Sequence, residues 1–160
     1  MPAKVLDSRA LLAFFMDEQP AASRVEKIIK DAVRTDRNKV YLSAVGWSEL
    51  YAGLERAAGQ DMARETMAQL DQLPVIVLGV DDDLKLCRLA GRLQAAHDIT
   101  VGAAFAAALA QDKRATLCTD DPQFEALKSA VRIEPLGGEK VSMTEPALGA
   151  PVLVVENSPQ

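Results

Sequence analysis

Two acidic positions in this sequence fall at the ends of β-rich runs, where an α/β fold does its chemistry. Asp7 follows Lys4-Val5-Leu6, and Asp120-Asp121 follow Ala115-Thr116-Leu117-Cys118 after Thr119. In an open parallel sheet the functional crevice lies beyond the carboxyl ends of the strands, near a switch in strand order. If the first and fourth strands are neighbours, Asp7 and Asp121 converge there. Converging carboxylates repel, so a fold keeps them together only when something offsets that cost. Mg²⁺ or Mn²⁺, with its preference for oxygen, is the simplest candidate. Taken singly, Asp7 and Asp120 also suit helix caps, a role Asp fills well.

Glu49 adds a third carboxylate. On a helical wheel it lies about 150° from the stripe Trp47, Leu50, Tyr51 and Leu54, at 100° per residue. Its own face carries Ala52 and Gly53, small residues that let another segment approach closely. An isolated glutamate is ordinarily solvated. A third carboxylate aimed at the same crevice would instead be functional.

Elements that alternate between strand and helix must position these groups. Val40-Tyr41-Leu42, Val75-Ile76-Val77-Leu78 and the weaker Val131-Arg132-Ile133 read as further strands, making about five. Between them, Val25, Ile28, Ile29, Ala32 and Val33 recur at helical spacing, and Leu84 to Leu93 forms another such stretch. Ser43 and Thr100 are placed to cap helices, Gly59 to end one, and Pro122 to open a short one. The pattern is α/β, with a mostly parallel central sheet flanked by helices. From Gly137 glycine, proline and polar residues dominate, with one apolar patch, Val152-Leu153-Val154-Val155. The expected organisation is one domain over 1–136 and a tail over 137–160.

Composition narrows the chemistry. The chain has 160 residues, 49% hydrophobic and 26% charged, with 18 Lys+Arg against 23 Asp+Glu for a net charge of −5. One domain of that length buries a full core without staples. Its acidity argues against a general nucleic-acid coat but not against a nuclease that borrows positive charge from metal ions. A lone histidine, His97, disfavours a zinc site or a Ser-His-Asp triad. Cys87 and Cys118 lie in apolar segments, which favours reduced thiols and a cytoplasmic location. The longest nearly apolar run, Val101 to Ala110, is far short of the roughly 20 residues that span a bilayer, and no signal peptide is apparent.

Three ordered segments resemble the PIN domain, most nearly its VapC-like toxin ribonucleases of type II toxin–antitoxin pairs. They are Val5-Leu6-Asp7-Ser8-Arg9-Ala10-Leu11-Leu12, then Leu42-Ser43-Ala44-Val45 with Glu49-Leu50, then Thr119-Asp120-Asp121-Pro122-Gln123-Phe124. The likeness covers about Lys4 to Pro135. It implies a three-layer PIN-like fold and a Mg²⁺- or Mn²⁺-dependent endoribonuclease. Asp7, Glu49 and Asp121 would be catalytic metal ligands, with Asp120 and Thr119 in support. Water would attack a phosphodiester phosphorus while metal ions stabilise charge on the phosphate oxygens. Implied partners are a cognate antitoxin, an RNA substrate such as tRNA, and a second copy in a homodimer.

One position departs from the family pattern. The helix containing Ile99-Thr100-Val101-Gly102-Ala103-Ala104-Phe105 usually carries an aspartate two residues before the phenylalanine, and here that residue is Ala103. Asp98 lies upstream and is not assumed to replace it. Losing a carboxylate relieves repulsion but removes a ligand, so weakened metal binding and impaired catalysis are expected. The alternative is a non-catalytic PIN-like module that binds an antitoxin or RNA. Asp81-Asp82-Asp83 reads as a helix start favoured by the macrodipole, and a receiver-like site there is the weaker rival. Lys27, Lys30, Arg34, Arg37 and Lys39 read as a solvated face that would also suit guiding RNA toward an acidic site. Trp47 and Tyr51 are expected in the core.

Overall fold

Strand β1 (Lys4–Leu6) divides its side chains between two cores, as the two-residue period of a strand requires. Val5 faces one core and Leu6 the other, and both are fully buried. The computed structural model describes residues 3–137. The tail beyond them, 138–160, with its apolar patch at Val152–Val155, lies outside the described residues.

The chain continues through α1 (Ser8–Phe15), α2 (Ala21–Arg34), β2 (Val40–Ser43), α3 (Ala44–Ala58), α4 (Gln60–Leu70) and β3 (Val75–Leu78). It then runs through α5 (Lys85–Ala96), α6 (Val101–Lys113), β4 (Thr116–Cys118), a 3-10 helix (Pro122–Leu127) and β5 (Ile133–Glu134). Among the described residues the strands form one sheet in the order β3-β2-β1-β4-β5. Every pairing is parallel, so the expected mostly parallel sheet is wholly parallel. Buried residues of α1 to α4 cover one face, and those of α5, α6 and the 3-10 helix cover the other. This is the three-layer α/β fold that the resemblance implies.

The strand order decides where a site can form. The chain builds outward from β1 to β2 and β3, then returns to lay β4 against the opposite side of β1, with Leu6 opposite Cys118. The connections diverge at that junction, which opens a crevice at the carboxyl ends of β1 and β4.

Helix α6 lies beneath this crevice. Eight of its residues are buried, and all but Leu109 are alanine or glycine. Such small side chains let it lie close to the sheet and to its neighbours α5 and α3.

Some local expectations shift. Val33 continues the apolar period of α2 but is 72% exposed, because it lies in the last turn, beyond the sheet that buries Val25, Ile28 and Ile29. Trp47 and Tyr51 pack against the core but are half-buried, and their rings stack 6.0 Å apart. The fifth strand begins at Ile133, two residues later than its apolar run suggests. Asp81–Asp83 precede α5 in an exposed turn, where Asp83 Oδ1 accepts the Lys85 N–H at 3.0 Å. No helix among the described residues is long and apolar enough to cross a membrane.

Candidate active site

Asp7 is both a cap and a buried carboxylate. It closes β1 in extended backbone, and its Oδ1 accepts the Ala10 N–H at 2.8 Å, capping α1. Its Oδ2 accepts the Thr119 hydroxyl at 2.5 Å from the end of β4. That hydroxyl oxygen also accepts the Asp121 N–H at 3.0 Å. Thr119 therefore ties the two strand ends together. Burial pushes the Asp7 pKa up to about 6, even though the Thr119 and Ala10 bonds favour the charged form; the nearby Asp121 charge raises it further.

Asp121, and not Asp120, faces this junction. Asp121 caps the 3-10 helix through the Gln123 N–H at 3.1 Å and also accepts from Gln123 Nε2 at 2.8 Å. The Arg9 guanidinium stands 3.8 Å from Asp121 Oδ1. Asp120 instead accepts the Leu136 N–H at 2.7 Å, holding the segment after β5. The cap expected of Asp120 thus belongs to its neighbour, directly before Pro122 at the helix start.

Glu49 reaches the same mouth from α3. The Ser8 hydroxyl donates to its Oε1 at 3.3 Å. Desolvation raises its pKa, and Asp121 adds to the rise, so the two carboxylates feel each other's charge. Its carboxylate lies against Gly102 in the first turn of α6, where a Cβ would overlap all three carboxyl atoms. Gly53, on the face it shares with Glu49, meets Leu12 of α1 closely, as the small-residue face suggests.

Ala103 sits beside Gly102 and is only 4% exposed. Its N–H donates to Thr100 Oγ1, the cap of α6. It offers no ligand. Among the described residues no group of three His, Cys, Asp or Glu side chains is arranged to hold a metal ion. The donor chemistry nonetheless fits a hard divalent cation: three carboxylates, oxygen only, with desolvation first and the Asp121 charge second among the causes that raise the pKa of Asp7 and Glu49.

The basic stretch lies elsewhere. Arg34, Arg37 and Lys39 lead into the start of β2, at the opposite end of the sheet from the crevice, and Lys30 pairs with Glu26. Arg34, Arg37 and Lys39 therefore do not line the path to Asp7. Among the described residues the cation that pairs with the cluster is Arg9.

The segment spacings do not single out Ser8, Gly102 or Gln123 as site residues. Gly102 leaves one visible signal, a glycine in the first turn of an otherwise alanine-rich helix. Gln123 leaves none, because its partner Thr100 lies 23 positions away.

A family model for the PIN domain matches residues 4–129, most of the chain. The chain belongs to the PIN domain family. No curated protein matches it. Among solved structures, this PIN domain is similar to the DNA-bound VapBC of Salmonella typhimurium, with a TM-score of 0.64 and 16% identity over 85% of this chain and 99% of that one. It is also similar to VapC20 of Mycobacterium tuberculosis, a toxin that cleaves the sarcin–ricin loop. There the TM-score is 0.61 and identity 19%, over 78% and 94% of the two chains. VapBC-1 of nontypeable Haemophilus influenzae gives 0.61 and 18%, over 84% and 98%. At these identities the likeness is one of fold.

Proposed function

We propose that this PIN domain is the toxin of a toxin–antitoxin pair, a Mg²⁺- or Mn²⁺-dependent endoribonuclease impaired by Ala103. One observation carries the reading: Thr119 joins Asp7 to the Asp121 loop at the β1–β4 junction, with Glu49 facing the same mouth. Asp7, Glu49 and Asp121 would hold the cation. When bound, it supplies Lewis-acid stabilisation to a phosphodiester undergoing cleavage.

The chain's own groups do the rest. Thr119 fixes the Asp7 carboxylate, Ser8 steadies Glu49, and Arg9 is placed to attract the phosphate backbone of a structured RNA such as tRNA. The toxin–antitoxin assemblies among the similar folds support a cognate antitoxin as partner, and a homodimer is proposed as the working form on the family resemblance alone.

The buried Ala103 favours a second reading, a module that binds antitoxin or RNA without turnover. An RNA cleavage assay with Mn²⁺ separates the two, comparing this chain with Ala103→Asp and Asp7→Ala. Cleavage that appears or rises in Ala103→Asp and vanishes in Asp7→Ala is the expected result. Cleavage that survives both Asp7→Ala and chelation of the metal would overturn the nuclease assignment. Silence of every variant, with RNA or antitoxin binding intact, would favour the second reading.

A further inference from the structure

One side chain spans the gap between the late aspartate and the start of α6. Gln123 donates Nε2–H to Asp121 Oδ2 at 2.8 Å, while its backbone N–H donates to Oδ1 at 3.1 Å. Its Oε1 accepts from both the N–H and the hydroxyl of Thr100, at 3.0 and 3.1 Å. Thr100 in turn caps α6 through Ala103. An amide suits this place because it donates at one end and accepts at the other. A carboxylate or a thioether of similar length cannot do both.

Two donors from one residue grip both oxygens of Asp121, so its carboxylate cannot turn without breaking them. Gln123 also ties that carboxylate to the helix turn where Gly102 receives Glu49. We propose that Gln123 is a positioning residue, which orients Asp121 for cation binding and couples it to the first turn of α6. The proposal rests on the assignment of Asp121 as a metal ligand. In this assignment Gln123 acts through Asp121 and Thr100, the two residues it bonds. Partners that orient a ligand in this way typically change metal affinity by about 10- to 100-fold when removed.

The test is Mn²⁺ titration of the full chain by calorimetry, alongside amide hydrogen exchange at Thr100. Asp121→Asn serves as the control for the ligand assignment. Gln123→Met keeps length and bulk but cannot bridge. It is expected to weaken Mn²⁺ binding about tenfold, speed exchange at Thr100, and leave the overall fold signal unchanged. Gln123→Asn is a second variant; it retains the amide but is one methylene too short to reach both partners, and the same losses are expected. If affinity falls in Asp121→Asn but holds in both Gln123 variants, the positioning role is overturned while the metal assignment stands. If the parent chain shows no Mn²⁺ binding that Asp121→Asn removes, the metal assignment fails and takes the positioning role with it.

Discussion

The Thr119 hydroxyl donates to Asp7 Oδ2 and accepts the Asp121 N–H, joining residues 112 positions apart at the seam between β1 and β4. With the Ala10 N–H, it is one of two donors that stabilise the charged form of a carboxylate with little access to water, and the stronger of the two. Thr119→Val keeps the shape and removes the hydroxyl. A bond to a charged group contributes about 1.5–3 kcal/mol, so the variant is expected to lose about that much stability at pH 7.5. The loss is expected to shrink near pH 4.5, where Asp7 is mostly protonated. Urea unfolding at the two pH values checks this, and an equal loss at both would contradict it.

The raised pKa of Asp7 makes stability depend on pH in a direction unlike that of most carboxylates. The folded chain holds this proton up to about pH 6, while the unfolded chain releases it near 3.8. Between those values the folded state binds more protons, so the Asp7 contribution is fully present below pH 3.8 and is lost as pH rises through 6. About two pKa units at 1.36 kcal/mol each give about 3 kcal/mol. In chelator, Asp7→Asn is therefore expected to gain stability over the parent as pH rises from 4 to 7, with asparagine keeping the α1 cap. Added Mn²⁺ is expected to reverse the advantage, because the charged carboxylate binds the cation more strongly than a neutral amide oxygen does.

Gly102→Ala separates stability from site geometry. Alanine in place of helical glycine typically adds about 0.5–1 kcal/mol. Its Cβ would meet the mobile end of Glu49 rather than backbone, so the side chain moves and the helix stays. The expected variant has an equal or higher melting temperature but a smaller thermal shift on adding Mn²⁺. An unchanged shift would show that the place of Glu49 against α6 is immaterial.

Cys118 is fully buried in β4, and burial beside Glu134 pushes its thiol up to about 12. Cys87 is half-buried on α5. Iodoacetamide at pH 8 is expected to label Cys87 in the native chain and Cys118 only after unfolding, as peptide mass mapping would reveal.

The fold is legible in the sequence wherever local pattern carries it. Asp7 and Asp121 come after short β-rich runs, Ser43 and Thr100 precede helical stretches, and each of these four residues caps the helix that begins beside it. The neighbouring of β1 and β4 is a tertiary fact, and the strand-end aspartates point to it only conditionally. Asp120 and Asp121 are adjacent and alike, so the backbone path around Pro122 decides which of them faces the crevice. The end of the basic stretch, from Arg34 to Lys39, sits at the start of β2 and away from the crevice, which sequence alone does not reveal because it does not tell which end of the sheet a loop occupies. Gln123 and Gly102 act through partners far along the chain, which no periodicity reveals.

The return of the chain to the centre of the sheet has a consequence for synthesis on the ribosome. A nascent chain that has emerged only through β3 can pair β1 with β2 and β2 with β3, but one flank of β1 stays bare. Asp7 and Glu49 are already present in that length of chain, yet the hydroxyl and the third carboxylate that complete their surroundings are not. The cluster comes into being only when β4 slides in beside β1 and brings Thr119 and Asp121 with it. Until translation has passed β4 the chain therefore lacks part of its site, whatever structure its earlier part has adopted.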